Sequence, residues 1–370
     1  MKLIVTKTNL KNSLKVLSGA VKDDQNLIIL KNILIKAKDN EINLIATNLE
    51  IAITSILPGK IIEEGETTLP FSVLSEIINN LQLERINFES KDSKIEITTD
   101  NYNLILNTQP AEDFPIIPKI QNQNNFLEIR ADLFKESLNQ IISSAQINEI
   151  RPELNSVFLA FNIESIKLTT TDSFRLSEKT IPNTQFKTNF TNSFSILIPL
   201  KTANELNKIL ENNENLNIFI DENQILFKTE RFNLISRLVS GNFPDYESII
   251  PKNFKCEIVL NKEELISAIK LNSILSGKTS AINLKINSHK KIMEVYSSEQ
   301  STGQSKYTLS AKIKGEDEEI AFNWKYLLDG LKNIKTEEVF IGLNEENKPA
   351  LIKSTTDSYY FYIVMPILNI

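Results

Sequence analysis

Short apolar runs and amphipathic stripes alternate along this chain in one order, and that order is used three times. The first copy opens with Leu3-Ile4-Val5 and continues past Asn9 into Leu10, Leu14, Val16 and Leu17, spaced as one face of a helix. The second opens with Leu127-Glu128-Ile129 and runs into Leu133, Phe134, Leu138, Ile141 and Ile142, with Asp132 as its predicted N-cap. The third opens with Ile258-Val259-Leu260, followed by Asn261 as cap and Leu265, Ile266, Ile269 and Leu271.

Pairs of strands follow in each copy: 33–37 with 42–46, 157–161 with 166–169, and 282–286 with 292–296. Short polar turns such as Lys38-Asp39-Asn40-Glu41 join them as hairpins. A second helix is predicted at 71–78, 200–210 and 324–334, each with further strands after it. The endings also repeat. Asp113-Phe114-Pro115-Ile116-Ile117-Pro118-Lys119 is echoed by the stretch from Asn242-Phe243-Pro244 to Ile249-Ile250-Pro251-Lys252, and its β-run-then-proline half by Tyr362-Ile363-Val364-Met365-Pro366. A repeat of about a third of 370 residues predicts three tandem α+β domains, at 1–124, 125–252 and 253–370. Their joins, 120–125 and Lys252-Asn253, are polar and short enough to keep neighbours in contact.

Composition changes this picture little. Hydrophobic residues make up 41% and charged residues 24%, as in ordinary globular proteins. A single cysteine, Cys256, rules out an intrachain disulfide and points to a reducing cytoplasm. The N-terminal apolar run is too short for a signal peptide, and no uninterrupted apolar stretch approaches a membrane span. The net charge of −6 argues against a generic nucleic-acid coat but leaves room for a basic surface confined to one face.

The helices carry such a face. Lys7, Lys11 and Lys15 recur every four residues on the first. Lys135 lies on the first helix of the second copy, and Lys201 and Lys208 on its second. In the third copy Lys262, Lys270, Lys325 and Lys332 fall on the two helices. The second helix of the first copy has no lysine and carries Glu76. Solvated lysines occur on any amphipathic helix, yet their recurrence in five of six helices favours a surface for phosphate backbone. Acidic runs such as Glu63-Glu64 and 316–319 then belong to the outer rim.

Catalytic motifs are weak. Ser276-Gly277-Lys278-Thr279-Ser280 resembles the end of a phosphate loop, but Asn272 stands where the first glycine is needed and a helix, not a strand, precedes it. Gly277 reads as a helix stop. His289, the only histidine, falls in a polar turn. One His and one Cys make neither a metal site of those ligands nor a nucleophile–base couple.

Four segments resemble the bacterial sliding clamps, the β-subunit family of DNA polymerase III. They are Arg151-Pro152-Glu153-Leu154-Asn155, Thr171-Asp172-Ser173-Phe174-Arg175-Leu176, Gly241-Asn242-Phe243-Pro244-Asp245-Tyr246 and Tyr362-Ile363-Val364-Met365-Pro366. The match runs end to end in order. It implies three copies of the DNA-clamp domain per chain, helices lining a central hole and antiparallel sheets outside. It also implies a head-to-tail homodimeric ring around duplex DNA, without sequence preference, and no chemistry, cofactor or metal. The implied partners are the polymerase III alpha subunit, a clamp loader and other proteins with a clamp-binding motif. Their peptides would enter a pocket walled by Leu154, Thr171, Phe174, Arg175, Leu176, Pro244, Ile249, Ile363, Val364, Met365, Pro366 and Ile367. The resemblance places Leu104 and Leu106 against Ile274 and Leu275 at the dimer interface. The chain departs from the family at Ser173-Phe174 (Gly-His in the family), at the acidic Lys22-Asp23-Asp24-Gln25 loop, and at the tail Leu368-Asn369-Ile370. A repeat-built scaffold that binds no DNA is the competing class.

Overall fold

A computed structural model describes residues 1–121, 123–145 and 151–367. The tail Leu368-Asn369-Ile370 and Asn122 of the first join lie outside them.

Among the described residues six α-helices form where the periodicity places them: α1 Lys7–Leu17, α2 Phe71–Asn80, α3 Ala131–Ile142, α4 Leu200–Ile209, α5 Lys262–Ser273 and α6 Trp324–Lys332. The caps follow from side-chain chemistry. Thr6 accepts from Asn9 N–H (3.2 Å), Asn261 from Glu264 N–H (2.9 Å) and Asn323 from Lys325 N–H (3.0 Å). Asp132 is not the cap of α3. The helix has already begun at Ala131, and the carboxylate sits in the first turn, bonded to Arg130 and to its neighbour's N–H. There its charge still favours the helix N-terminus.

Among the described residues every strand pair is antiparallel, and the expected hairpins close. Asp39 and Asn40 take φ of 52° and 63°, the left-handed pair that a two-residue hairpin turn demands. His289 sits exposed in a turn, and Gly277 lies past the end of α5 with φ 58°. Cys256 is buried on a strand, and burial pushes its thiol up to about 11.

Contacts divide the chain into two compact units. The first holds residues 1–135, 184–191 and 204–238, with a five-stranded and a nine-stranded sheet. The second holds 136–183, 192–203 and 239–370, with a nine-stranded and a four-stranded sheet. This division follows the sheets rather than the sequence repeats. Each nine-stranded sheet joins four strands of one repeat to five of the next. In the first unit the joint is Phe232–Arg237 against Ile51–Ile56, and in the second Arg175–Pro182 against Tyr360–Val364. The core beneath α5 and α6 runs from Cys256 through Met293 and Phe322 to Tyr362.

Candidate functional site

The strand joint of the second unit collects most of the expected pocket. Antiparallel register puts Arg175 opposite Val364 and Leu176 opposite both Ile363 and Thr171. The Met365 N–H donates to the Phe174 carbonyl at 2.8 Å, so the C-terminal strand is tied to the loop just before Arg175.

That loop has a definite construction. Asp172 accepts from the N–H groups of Phe174 (2.9 Å) and Arg175 (3.0 Å) through one carboxylate oxygen. Thr171 Oγ1 accepts from Ser173 N–H (3.1 Å) and donates to the Arg175 carbonyl (2.7 Å). Ser173 takes φ 78°, a left-handed backbone that costs a residue with a Cβ about 1–2 kcal/mol. The loop presents Phe174 to solvent at 59% exposure.

Arg175 faces the helix side of the same sheet. Its Nε reaches Asp172 Oδ2 (2.9 Å), its second nitrogen reaches Asp329 on α6 (2.5 Å), and its guanidinium lies 4.3 Å from the Tyr326 ring centre. Burial pulls its pKa down, but Tyr362, Asp329 and Asp172 outweigh this and hold it above its ordinary value. Thr171 and Arg175 are therefore already bonded within the protein, and what they present outward is a fixed scaffold.

The opposite face is apolar. Leu176 and Ile363 are buried with Tyr246 and Leu351, flanked by Phe158, Phe243 and Ile250. Phe158 stacks on Phe243 at 4.8 Å, and the Tyr246 hydroxyl donates to the buried Glu178 at 2.6 Å. Burial first, then the Glu178 charge, raises the pKa of Tyr246, so it stays a donor. This clamp fixes the segment carrying Pro244, half-buried, and Ile249, 47% exposed. Met365, Pro366 and Ile367 are half-buried, and the Ile367 N–H donates to the Ala321 carbonyl at 2.8 Å. Val364 is fully buried in the third-repeat core, and Leu154 is buried in the turn before Ser156–Asn162.

The ten lysines separate into two groups. Lys7 donates to the Leu81 carbonyl, Lys135 to Leu210 (2.7 Å) and Lys262 to Ile334 (3.0 Å). Each of these carbonyls ends or follows the second helix of its own repeat. The ammonium group thus caps the negative end of a helix. The remaining seven, Lys11, Lys15, Lys201, Lys208, Lys270, Lys325 and Lys332, are exposed. Lys208 pairs with Glu205 (2.7 Å), and Lys325 lies over the Trp324 ring. The acidic loop is balanced locally, Lys22 pairing with Asp24 (3.0 Å) and Lys31 with Asp23 (2.6 Å).

Among the interface candidates, Leu104 and Leu106 are half-buried on Asn103–Asn107, an edge of the five-stranded sheet. Ile105 between them is 60% exposed. Ile274 follows α5 at 77% exposure, and Leu275 beside it is half-buried.

The comparisons with known proteins decide the family. Models of the N-terminal, central and C-terminal domains of the DNA polymerase III beta subunit match residues 1–118, 128–245 and 247–368, in that order. The chain belongs to the DNA polymerase III beta subunit family. A beta sliding clamp of Bacillus subtilis is 29% identical over 384 residues, covering 99% of both chains, and one of Synechocystis is 26% identical over 388 residues with the same coverage. The crystal structure of the Bacillus subtilis DNA polymerase sliding clamp superposes with a TM-score of 0.94 at 28% identity, covering 100% of both chains. That of the Thermotoga maritima DNA polymerase III beta subunit gives 0.90 at 26%, also over 100% of both. Membership makes this an accessory subunit of the polymerase with three clamp domains, not a catalyst. Sequence reasoning missed Asp329 and Tyr326, which reach Arg175 from 154 residues away or nearly so. It also missed the three capping roles. Their only signal was the recurrence of Lys beside the start of the first helix.

Proposed function

We propose that this chain is the processivity factor of a replicative DNA polymerase, closing head to tail with a second copy into a ring around duplex DNA. The observation that carries this is the run of three beta-subunit domains across nearly the whole chain. The domain limits proposed are 1–124, 125–252 and 253–370. The mechanism is topological. A closed ring needs little affinity for DNA because leaving requires opening it. A polymerase held by a peptide then stays at high effective concentration beside the primer end.

Charge supports the inner surface. Lys11, Lys15, Lys270 and Lys332 are exposed and bond no side chain among the described residues. Lysine is a hydrated point charge on a flexible stem, so it neutralises phosphate without fixing register. Closure is supported by the free edge of Asn103–Asn107, whose outer backbone groups lack a strand partner among the described residues, and by exposed Ile105 and Ile274. The joint of the second unit is the peptide site, with Phe174, Pro244, Ile249 and Met365 as its accessible walls. The alpha subunit, a clamp loader and other clamp-motif proteins are its proposed occupants. The proposed setting is the cytoplasm. Among the described residues no helix is long and apolar enough to cross a membrane.

The test is primer extension on a singly primed circle with polymerase, clamp loader and ATP. Adding this chain should lengthen products from each binding event. The Phe174→Asp/Met365→Asp variant should not, because polymerase and clamp loader both need that pocket. Equal product lengths with and without the wild-type chain would refute the assignment.

A further inference from the structure

The joint of the first unit repeats the hydrogen bonds that the peptide-site loop makes to its own backbone. Asn48 Oδ1 accepts from Glu50 N–H (3.0 Å) and Ile51 N–H (2.9 Å), as Asp172 does from Phe174 and Arg175. Thr47 Oγ1 accepts from Leu49 N–H (3.0 Å) and donates to the Ile51 carbonyl (2.9 Å), as Thr171 does to Arg175. Leu49 takes φ 74° where Ser173 takes 78°. The Arg237 N–H donates to the Glu50 carbonyl (3.2 Å), as Met365 donates to Phe174. Register then equates Ala52 with Leu176, Ile235 with Ile363 and Arg237 with Met365.

Two exchanges alter what this joint can hold. Ala52 is smaller than its counterpart Leu176, and a cavity of about 290 Å³ opens there, lined by Leu49, Ala52, Ile116 and Ile235 among others. Ile116, the counterpart of Ile249, is 96% exposed at its mouth. Arg237 replaces methionine, and its exposed guanidinium has no partner among the described residues. Lys119, just after the lining residue Pro118, adds a second exposed cation. Glu50, the one acid in the lining, is already engaged.

We propose that the joint between the first and second repeats is a second peptide-binding site. It takes a short extended segment with one aliphatic side chain in the cavity and one carboxylate against Arg237. The volume suits one or two side chains, and the unpaired cations select an acidic neighbour. The inference rests on the reading of Thr171–Leu176 as the first peptide site, since the analogy starts there.

Calorimetric titration of the full chain with the acetylated pentapeptide Gln-Ser-Asp-Leu-Phe tests both sites separately. Two sites per chain are expected, one tighter. Phe174→Asp/Met365→Asp should remove the tighter and keep the weaker. Ile116→Asp/Arg237→Glu, both at exposed side chains, should weaken the other at least ten-fold and keep the tighter. Changing the peptide's Asp to Asn should weaken the second site more than the first. A single site lost with Phe174→Asp/Met365→Asp overturns the second site and leaves the first standing. A single site that survives that pair but falls with Ile116→Asp/Arg237→Glu supports the second and refutes the first. No binding by the wild type at millimolar peptide overturns both.

Discussion

Ser173 holds a left-handed backbone, φ 78°, at a position where the family it resembles carries glycine. Its Cβ strains the loop that aims Phe174 outward. Ser173→Gly should therefore raise stability by roughly 0.5–1 kcal/mol, read as a higher unfolding midpoint in denaturant. Leu176 is a different case. At 1% exposure it is core as much as wall, so Leu176→Ala would mix lost binding with a fold cost of about 2–5 kcal/mol. Met365, half-buried at the rim, is the cleaner probe. Met365→Ala should cost about 2 kcal/mol of peptide binding, measured by fluorescence anisotropy, with melting unchanged within a degree or so. Acid sensitivity is also a residue property. Hydrogen bonds from Arg130 hold Asp132 below the ordinary carboxylate value, and Lys22 does the same for Asp24. A carboxylate with a depressed folded pKa lends stability above its unfolded pKa and loses it as pH falls through the folded one. The melting temperature should be flat from pH 7 to about 5 and fall below about 4. Arg130→Gln should shallow that fall.

At the scale of elements, period was legible and destination was not. Apolar spacing located all six helices to within a few residues, because each buries one stripe. Alternation located the hairpins for the same reason. The destination of a lysine depends on which carbonyl lies above it, and that is a tertiary fact. Lys7, Lys135 and Lys262 read like the others on helix surfaces, yet each closes the end of its neighbouring helix. Lys262→Met should cost about 1 kcal/mol of stability and leave DNA retention unchanged. Lys11→Glu with Lys15→Glu should do the reverse, weakening retention while melting stays near wild type. The motif around Thr171 announced a site, but its supports on α6 were invisible in sequence because strand pairing and helix packing bring them together. The first-unit loop, Thr47-Asn48-Leu49-Glu50, carries only the threonine of that motif. It was found by its hydrogen bonds rather than by its letters.

At the scale of the whole molecule, encircling DNA requires closure, and closure requires unlike surfaces. Asn103–Asn107 belongs to the first repeat, and Ile274 and Leu275 belong to the third. The proposed ring pairs these head to tail between two chains of three domains each. Ile274→Ala with Leu275→Ala should yield monomers at micromolar concentration by light scattering. The central claim is that DNA is held by topology, and retention on circular against linear DNA tests it most directly. Loaded on a nicked circle and passed through a sizing column at moderate salt, the chain should travel with the DNA. Cutting the circle once should release it within the run. Salt should affect retention on the circle less than it affects a protein held by phosphate contacts alone. Equal loss from circular and linear DNA, or equal retention on both, would contradict the account.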